Sequence, residues 1–246
     1  MKIKFAFALA EAFNHFKNIR KSAFTLAEVL VTLAVIGIVA AMTIPTLMNN
    51  YQKDVYVTSL HKVYNELDQA LQRRMTDSNA NDLTQAGLTS QDAVNTWVKN
   101  YFKVNTICEG SATNCLGDIT GYKKLKSSFN FMTERANENF YALANGAVIS
   151  PLYHINNDPN CTMAILVDVN AGNKPNVLGR DVFFMYIYNN GGIDDSLDNA
   201  DTTIDAPMTN AKRDTAFADC NNNSNGNTQV HGCFGQILKD DWQMNY

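Results

Sequence analysis

Between Phe24 and Met48 run 25 residues that carry one formal charge, Glu28. An apolar run of that length has few structural solutions. At about 1.5 Å of rise per residue it forms a helix long enough to cross a bilayer core of about 30 Å. The segment before it is short and basic. The segment after it is polar, rich in Asn, and holds all five cysteines. The sequence therefore divides into a leader at 1–23, a helix at 24–78 whose 24–48 half spans the membrane, and an exported head at 79–246.

Glu28 lies five residues into this run. A carboxylate in hydrocarbon costs about 2.5–3.5 kcal/mol on insertion scales, so it is expected to be paired and to serve a function. Arg20 and Lys21 precede the run, followed by the small residues Ser22 and Ala23. In a secretory signal the small-residue cleavage site comes after the apolar segment. Here it comes before. A cut between Ala23 and Phe24 keeps the helix and leaves a new amine close to Glu28.

The segment Ala23-Phe24-Thr25-Leu26-Ala27-Glu28-Val29-Leu30 resembles the prepilin-type family, the type IV pilins and the pseudopilins of type II secretion systems. That resemblance implies cleavage before Phe24 by a prepilin peptidase, N-methylation of the Phe24 amine, and a Glu28 that acts in assembly. Gly37 and Pro45 stand where pilin helices often carry Gly and Pro. The family usually has Gly before the cut, and this chain has Ala23. The resemblance also implies a pilin-like α+β fold: a long N-terminal helix, half transmembrane and half amphipathic, packed on a small antiparallel sheet with long loops. Two head segments, 167–181 and 232–246, resemble sequences that recur in prepilin-type proteins assigned to type II secretion.

Charge agrees with export. The leader has five basic residues and one acid, a net of +4. Removing it from the formal -4 of the chain leaves about -8. Basic residues ahead of the helix predict a cytoplasmic N-terminus and an exported head. An acidic head lacks the concentrated basic face of a nucleic-acid binder.

Past Pro45 the apolar pattern becomes periodic. Tyr51, Val55, Leu60, Val63, Tyr64, Leu67, Leu71 and Met75 are separated by charged residues, which predicts an amphipathic continuation of the helix. Pro45 removes a backbone donor and is expected to bend it, or to mark a segment that melts on packing into a filament. Asp77, Ser78 and Asn79 end it. A second helix is predicted from Ser90 to Phe102, with Thr89 or Ser90 as cap and Trp97 on its apolar face. Residues 103–130 read as irregular. Residues 140–144 and 147–150 flank Asn145-Gly146, a hairpin signal. Residues 162–169 and 182–188 are two further β-rich runs, and residues 206–232 read as polar loop.

Cys108 and Cys115 have six residues between them, and Cys220 and Cys233 have twelve. In an exported domain, proximity favours a bridge within each pair. The second loop would gain about 3 kcal/mol in the chain-entropy picture. Cys161 is left over: it is either buried outside any bridge or displaces one partner in this pairing. A metal site at Cys108 and Cys115 is the rival, without C-x-x-C spacing or a nearby His.

Calcium is the one cofactor the oxygen ligands raise. Asp194, Asp195 and Asp198 begin an acidic loop that continues to Asp201 and Asp205, and it is the better candidate. Asp168, Asn170 and Asn173 resemble a calcium loop only loosely, without the glycine and closing Glu of an EF-hand. His15, His61, His154 and His231 are scattered, read as surface or loop residues, and accompany no nucleophile motif. The expectation is a non-enzymatic subunit. Its partners would be other pilin-like subunits, a prepilin peptidase, an inner-membrane assembly platform and membrane lipid. It would sit in the bacterial inner membrane, with the head periplasmic or extracellular, until it joins a filament. The alternatives are an adhesive or DNA-uptake pilus subunit and a membrane-anchored binding module.

Overall fold

The computed structural model describes residues 25–153, 160–197 and 206–246. Helix α1 runs from Leu26 to Asp77 and continues through Pro45. The chain divides into two compact units, residues 1–49 and 50–246.

In the second unit, α1 buries Val57, Leu60, Val63, Leu67, Ala70 and Leu71. These recur every three or four residues, so one stripe of the helix faces the core. Leu60, Leu67 and Leu71 are fully buried, and cutting any one to alanine would cost about 2–5 kcal/mol. Helix α2 spans Gln91–Tyr101, and the Ser90 side chain caps it by accepting from Ala93 N. Trp97 is buried beneath α2, and its indole N–H donates to the Ala70 carbonyl of α1 at 3.3 Å. A buried indole needs an acceptor, and this one ties α2 to the helix it packs on.

Among the described residues the sheet has eight strands: β1 Val104–Cys108, β2 Lys123–Lys124, β3 Phe140–Leu143, β4 Val148–Tyr153, β5 Cys161–Asp168, β6 Val177–Leu178, β7 Val182–Tyr188 and β8 Ile193–Asp194. Their order is β1-β3-β4-β5-β7-β6-β2, with β8 on β7. The sheet is larger than expected and mixed rather than purely antiparallel: β2 pairs with β6, and β6 with β7, in parallel. Every residue of β5 and β7 is buried. Strands covered on both faces read as continuous apolar runs, which is why these two are plain in the sequence.

The β3–β4 turn uses Asn145-Gly146 differently from a two-residue hairpin. Gly146 has φ +91° while Asn145 keeps negative φ. Gly146 N donates to Leu143 O, and Leu143 N to Ala147 O. That is the three-residue loop with glycine in the left-handed position.

Four elements replace predicted loop, one of them the short strand β2. Strand β1 lies at the sheet edge with three exposed residues, so it shows no alternation. The short helix α3, Ala112–Leu116, comes after it. Helix α4, Asn210–Cys220, is capped by Thr209 and buries only Ala216 and Cys220, too few to form an apolar stripe. Helix α5 spans Cys233–Lys239, and Trp242, Met244 and Tyr246 beyond it still pack on the core. Disulfides join Cys108 to Cys115 and Cys220 to Cys233. Cys161 is buried, outside both bridges, with its thiol on the Met163 carbonyl.

Candidate functional site

Helix α1 begins with a reciprocal cap. The Glu28 carboxylate accepts from Thr25 N at 2.8 Å and from Thr25 Oγ1 at 2.8 Å. Glu28 N donates back to Thr25 Oγ1 at 3.2 Å. The start of a helix leaves its N–H groups without partners, and this capping box satisfies two of them, Thr25 N and Glu28 N. The need is greatest where hydrocarbon replaces water. The signal is present as Thr25-x-x-Glu28 before an apolar run, but sequence reasoning took Glu28 alone.

Two hydroxyls in the interior of the apolar half are satisfied by the helix backbone. Thr32 Oγ1 donates to Val29 O, and Thr43 Oγ1 to Val39 O. The apolar side chains themselves are uncovered: Leu26 is 81 % exposed, Met42 73 % and Leu47 71 %. A soluble protein does not leave such a continuous surface open. A Cβ built on Gly37 would meet nothing within 4 Å, so that position is a shallow notch in the same surface. The helix is long and apolar enough to cross a membrane. Ala23 and Phe24 lie outside the described residues.

Residues 18–44 match the model of the prokaryotic N-terminal methylation motif. The chain carries the prepilin-type signature. It is, in general terms, a type IV pilin- or pseudopilin-like protein, with a long apolar helix followed by a mixed sheet. The motif implies processing by a prepilin peptidase, assembly with other pilin subunits and membrane anchoring. No curated protein and no solved structure matches the chain.

The acidic residues of the pilin-like head are not a solvated cluster. Asp194 is buried and takes Arg213 through both oxygens, at 3.1 Å to Nε and 2.6 Å to Nη2. It also accepts from Met208 N at 2.8 Å. Asp195 is buried too, and accepts from Gly232 N at 2.7 Å, Gly235 N at 2.6 Å and Ser196 N at 2.8 Å. Both carboxylates are occupied by protein donors, and Asp198 lies outside the described residues. Among the described residues no three His, Cys, Asp or Glu side chains are placed to hold a metal. His231 is no surface residue: it is buried, with Nε2 3.1 Å from Asp219 Oδ2. His154 lies outside the described residues.

The loop at 168–181 is organised by two further buried carboxylates. Asp168 accepts from Tyr122 Oη at 2.5 Å, Asn170 N at 3.0 Å and Gly172 N at 3.1 Å. Asp181 accepts from Val177 N at 2.7 Å and Asn176 N at 2.8 Å. Gly172 has φ +77°, and a Cβ there would overlap the Leu116 carbonyl. Of the oxygens that resemble a calcium loop in the sequence, those of Asp168 thus receive hydrogen bonds from the loop's own backbone, while among the described residues Asn170 Oδ1 is buried with no hydrogen-bond partner.

Burial raises the Asp168 carboxyl, its three donors offset this only in part, and its pKa is pushed up to about 6. In the unfolded chain it is about 3.9. The fold therefore favours the protonated acid. That stabilisation is complete below about pH 4 and is lost as pH rises through about 6. At about 1.36 kcal/mol per unit it amounts to about 3 kcal/mol. Melting temperature is expected to fall between about pH 4 and pH 6.5, and Asp168→Asn, with no proton to lose, should have a shallower slope there. Asp181, also raised by burial, keeps its share of the slope in both proteins.

Proposed function

We propose that this chain is a non-enzymatic structural subunit of a type II secretion pseudopilus or a type IV pilus-like filament. The observation that carries the reading is the uncovered apolar surface of α1 from Leu26 to Met48, headed by one carboxylate. Lipid covers that surface before assembly, and the same segments of other subunits cover it in a fibre. Without a hydrophobic gain in moving from lipid to protein, packing and polar pairing must drive this exchange. Glu28 supplies the polar pairing by facing the Phe24 amine of a neighbour, which fixes axial register. The head segments at 167–181 and 232–246 support the secretion branch. A gene neighbourhood with a secretin and exported enzymes would favour it, and one with a retraction ATPase would favour a pilus.

Intact mass and N-terminal sequencing of the protein from its native membrane test the reading. A chain that starts at N-methylated Phe24 is expected. A chain that starts at Met1 would overturn processing and leave a plain membrane-anchored domain.

One observation favours a second reading, an anchored binding module. A cavity of about 350 Å³ is lined by Phe129, Phe131, Arg135, Glu138, Phe184 and Tyr186. Arg135 is buried, pairs with Glu138 at 2.7 Å, and lies 5.1 Å from the Phe184 ring centroid. Ligand capture by an unprocessed chain would bring this reading forward.

A further inference from the structure

Lys124 is fully buried at the sheet edge, in β2. A buried ammonium normally takes a carboxylate partner. Among the described residues the acceptors of Lys124 are uncharged and both belong to Asn227: Oδ1 at 2.8 Å and the main-chain oxygen at 3.2 Å. Burial lowers the Lys124 pKa, opposed only by the charge of Asp219.

The Asn227 carboxamide is held on every side. Its Oδ1 also accepts from Gln229 N at 3.0 Å. Its Nδ2 donates to Asp219 Oδ1 at 2.9 Å. The other oxygen of Asp219 is oriented by the buried His231 at 3.1 Å. The same loop is pinned a second time, because Asn225 Oδ1 accepts from Ser127 Oγ, Ser128 N and Ser128 Oγ. An amine, a polarised carboxamide, a main-chain donor on its oxygen and a carboxylate on its nitrogen therefore meet at one point.

We propose that Lys124 and Asn227 form an intramolecular amide cross-link with release of ammonia. The electrophilic carbon, Asn227 Cγ, lies one C=O bond, about 1.23 Å, beyond the oxygen that Nζ already contacts. Turning the end of the Lys124 side chain, once its ammonium has given up a proton, brings the amine onto that carbon. The nitrogen lone pair forms the Nζ–Cγ bond, and the carbonyl pair moves to Oδ1, where Gln229 N–H stabilises it. Asp219 takes a proton from Nζ and delivers one to Nδ2. The pair on Oδ1 returns, the Cγ–Nδ2 bond breaks, and ammonia leaves. One amide replaces another, so no oxidant or reductant is needed and Asp219 is regenerated.

The cross-link would join positions 103 residues apart, against 7 and 13 for the two disulfides. It would fasten the loop between α4 and α5 to β2 with a bond that reduction does not break. A subunit that transmits load along a filament gains resistance to unfolding from such a bond; that benefit rests on the assembly reading, whereas the cross-link itself does not.

Peptide mapping of the reduced full-length chain tests the proposal. The expected result is a branched peptide that joins the Lys124 and Asn227 segments, lighter by one ammonia than its two parts, with no tryptic cut after Lys124. Lys124→Arg should restore the unmodified mass of the Asn227 peptide. Asp219→Ala should leave the two peptides separate while both disulfides still form. Unbranched peptides from the folded wild-type chain would overturn the proposal. So would an ammonia loss that persists in Lys124→Arg, because a succinimide at Asn225-Gly226 would then explain it. A branched peptide in Asp219→Ala would overturn the role of Asp219.

Discussion

Replacing Glu28 with alanine should abolish filament assembly while the chain still inserts in the membrane and is still cut. Insertion improves, because a residue that costs about 2.5–3.5 kcal/mol in hydrocarbon is gone. The helix start loses its capping box, worth about 1 kcal/mol, with Thr25 N left without the carboxylate oxygen it donates to. Neither change explains a missing filament. The proposed pairing does, since removing one partner of a buried ion pair leaves the Phe24 amine of the neighbour unpaired, at about 3–5 kcal/mol. At about 1.4 kcal/mol per factor of ten, sheared filament should fall about a hundredfold or more. Glu28→Gln separates the two roles of this side chain. It keeps an oxygen for Thr25 and loses the charge, so it should resemble alanine in assembly and wild type in helix stability. Filament yield near wild type from the alanine variant would end the pairing idea.

Asp195→Ala should be the most damaging single change in the head. Among the described residues, the Asp195 carboxylate is the acceptor for Gly232 N and Gly235 N at the start of α5, and it also holds Ser196 N. Each buried N–H left without a partner costs about 1–3 kcal/mol, so three cost about 3–9 kcal/mol. Domain stabilities are about 5–15 kcal/mol, which makes that a large fraction. For a domain of this size the melting temperature should drop by about 10 °C or more. Asp195→Asn should lose less, because one oxygen stays and only one side turns from acceptor to donor. Thermal melts of the detergent-solubilised chain decide the matter. A drop under about 2 °C for the alanine variant, equivalent to less than about 1 kcal/mol, would mean that water replaces the carboxylate and that α5 does not depend on it.

The two buried acids next to each other, Asp194 and Asp195, show what a string of residues conceals. In sequence they begin a run of aspartates, and such a run reads as solvated loop or as cation ligands. In the fold one of them is neutralised by Arg213, 19 residues on, and the other is held by backbone N–H groups 37 and 40 residues on. Partners that remote leave no local trace. Helix α4 and strand β1 escape sequence reasoning for a related reason. Both lie at the periphery, bury few side chains and so carry no periodicity, and the contacts that stabilise them come from elsewhere in the head.

The sequence by itself determined the features that depend on neighbours along the chain. The membrane-length helix, its lone carboxylate, the amphipathic continuation, a cap at Thr89 or Ser90, the hairpin at Gly146 and the two central strands all come from composition or period within one continuous stretch, because hydrophobic burial and helix or strand geometry repeat at fixed intervals. Only the tertiary structure decided the strand order, the parallel edge at β2 and β6, the occupation of Asp168, Asp181, Asp194 and Asp195 by protein donors, and the meeting of Lys124 with Asn227. Those outcomes rest on a buried polar group finding a partner of the right chemistry wherever the fold brings one, and nothing in the spacing along the chain fixes where that is.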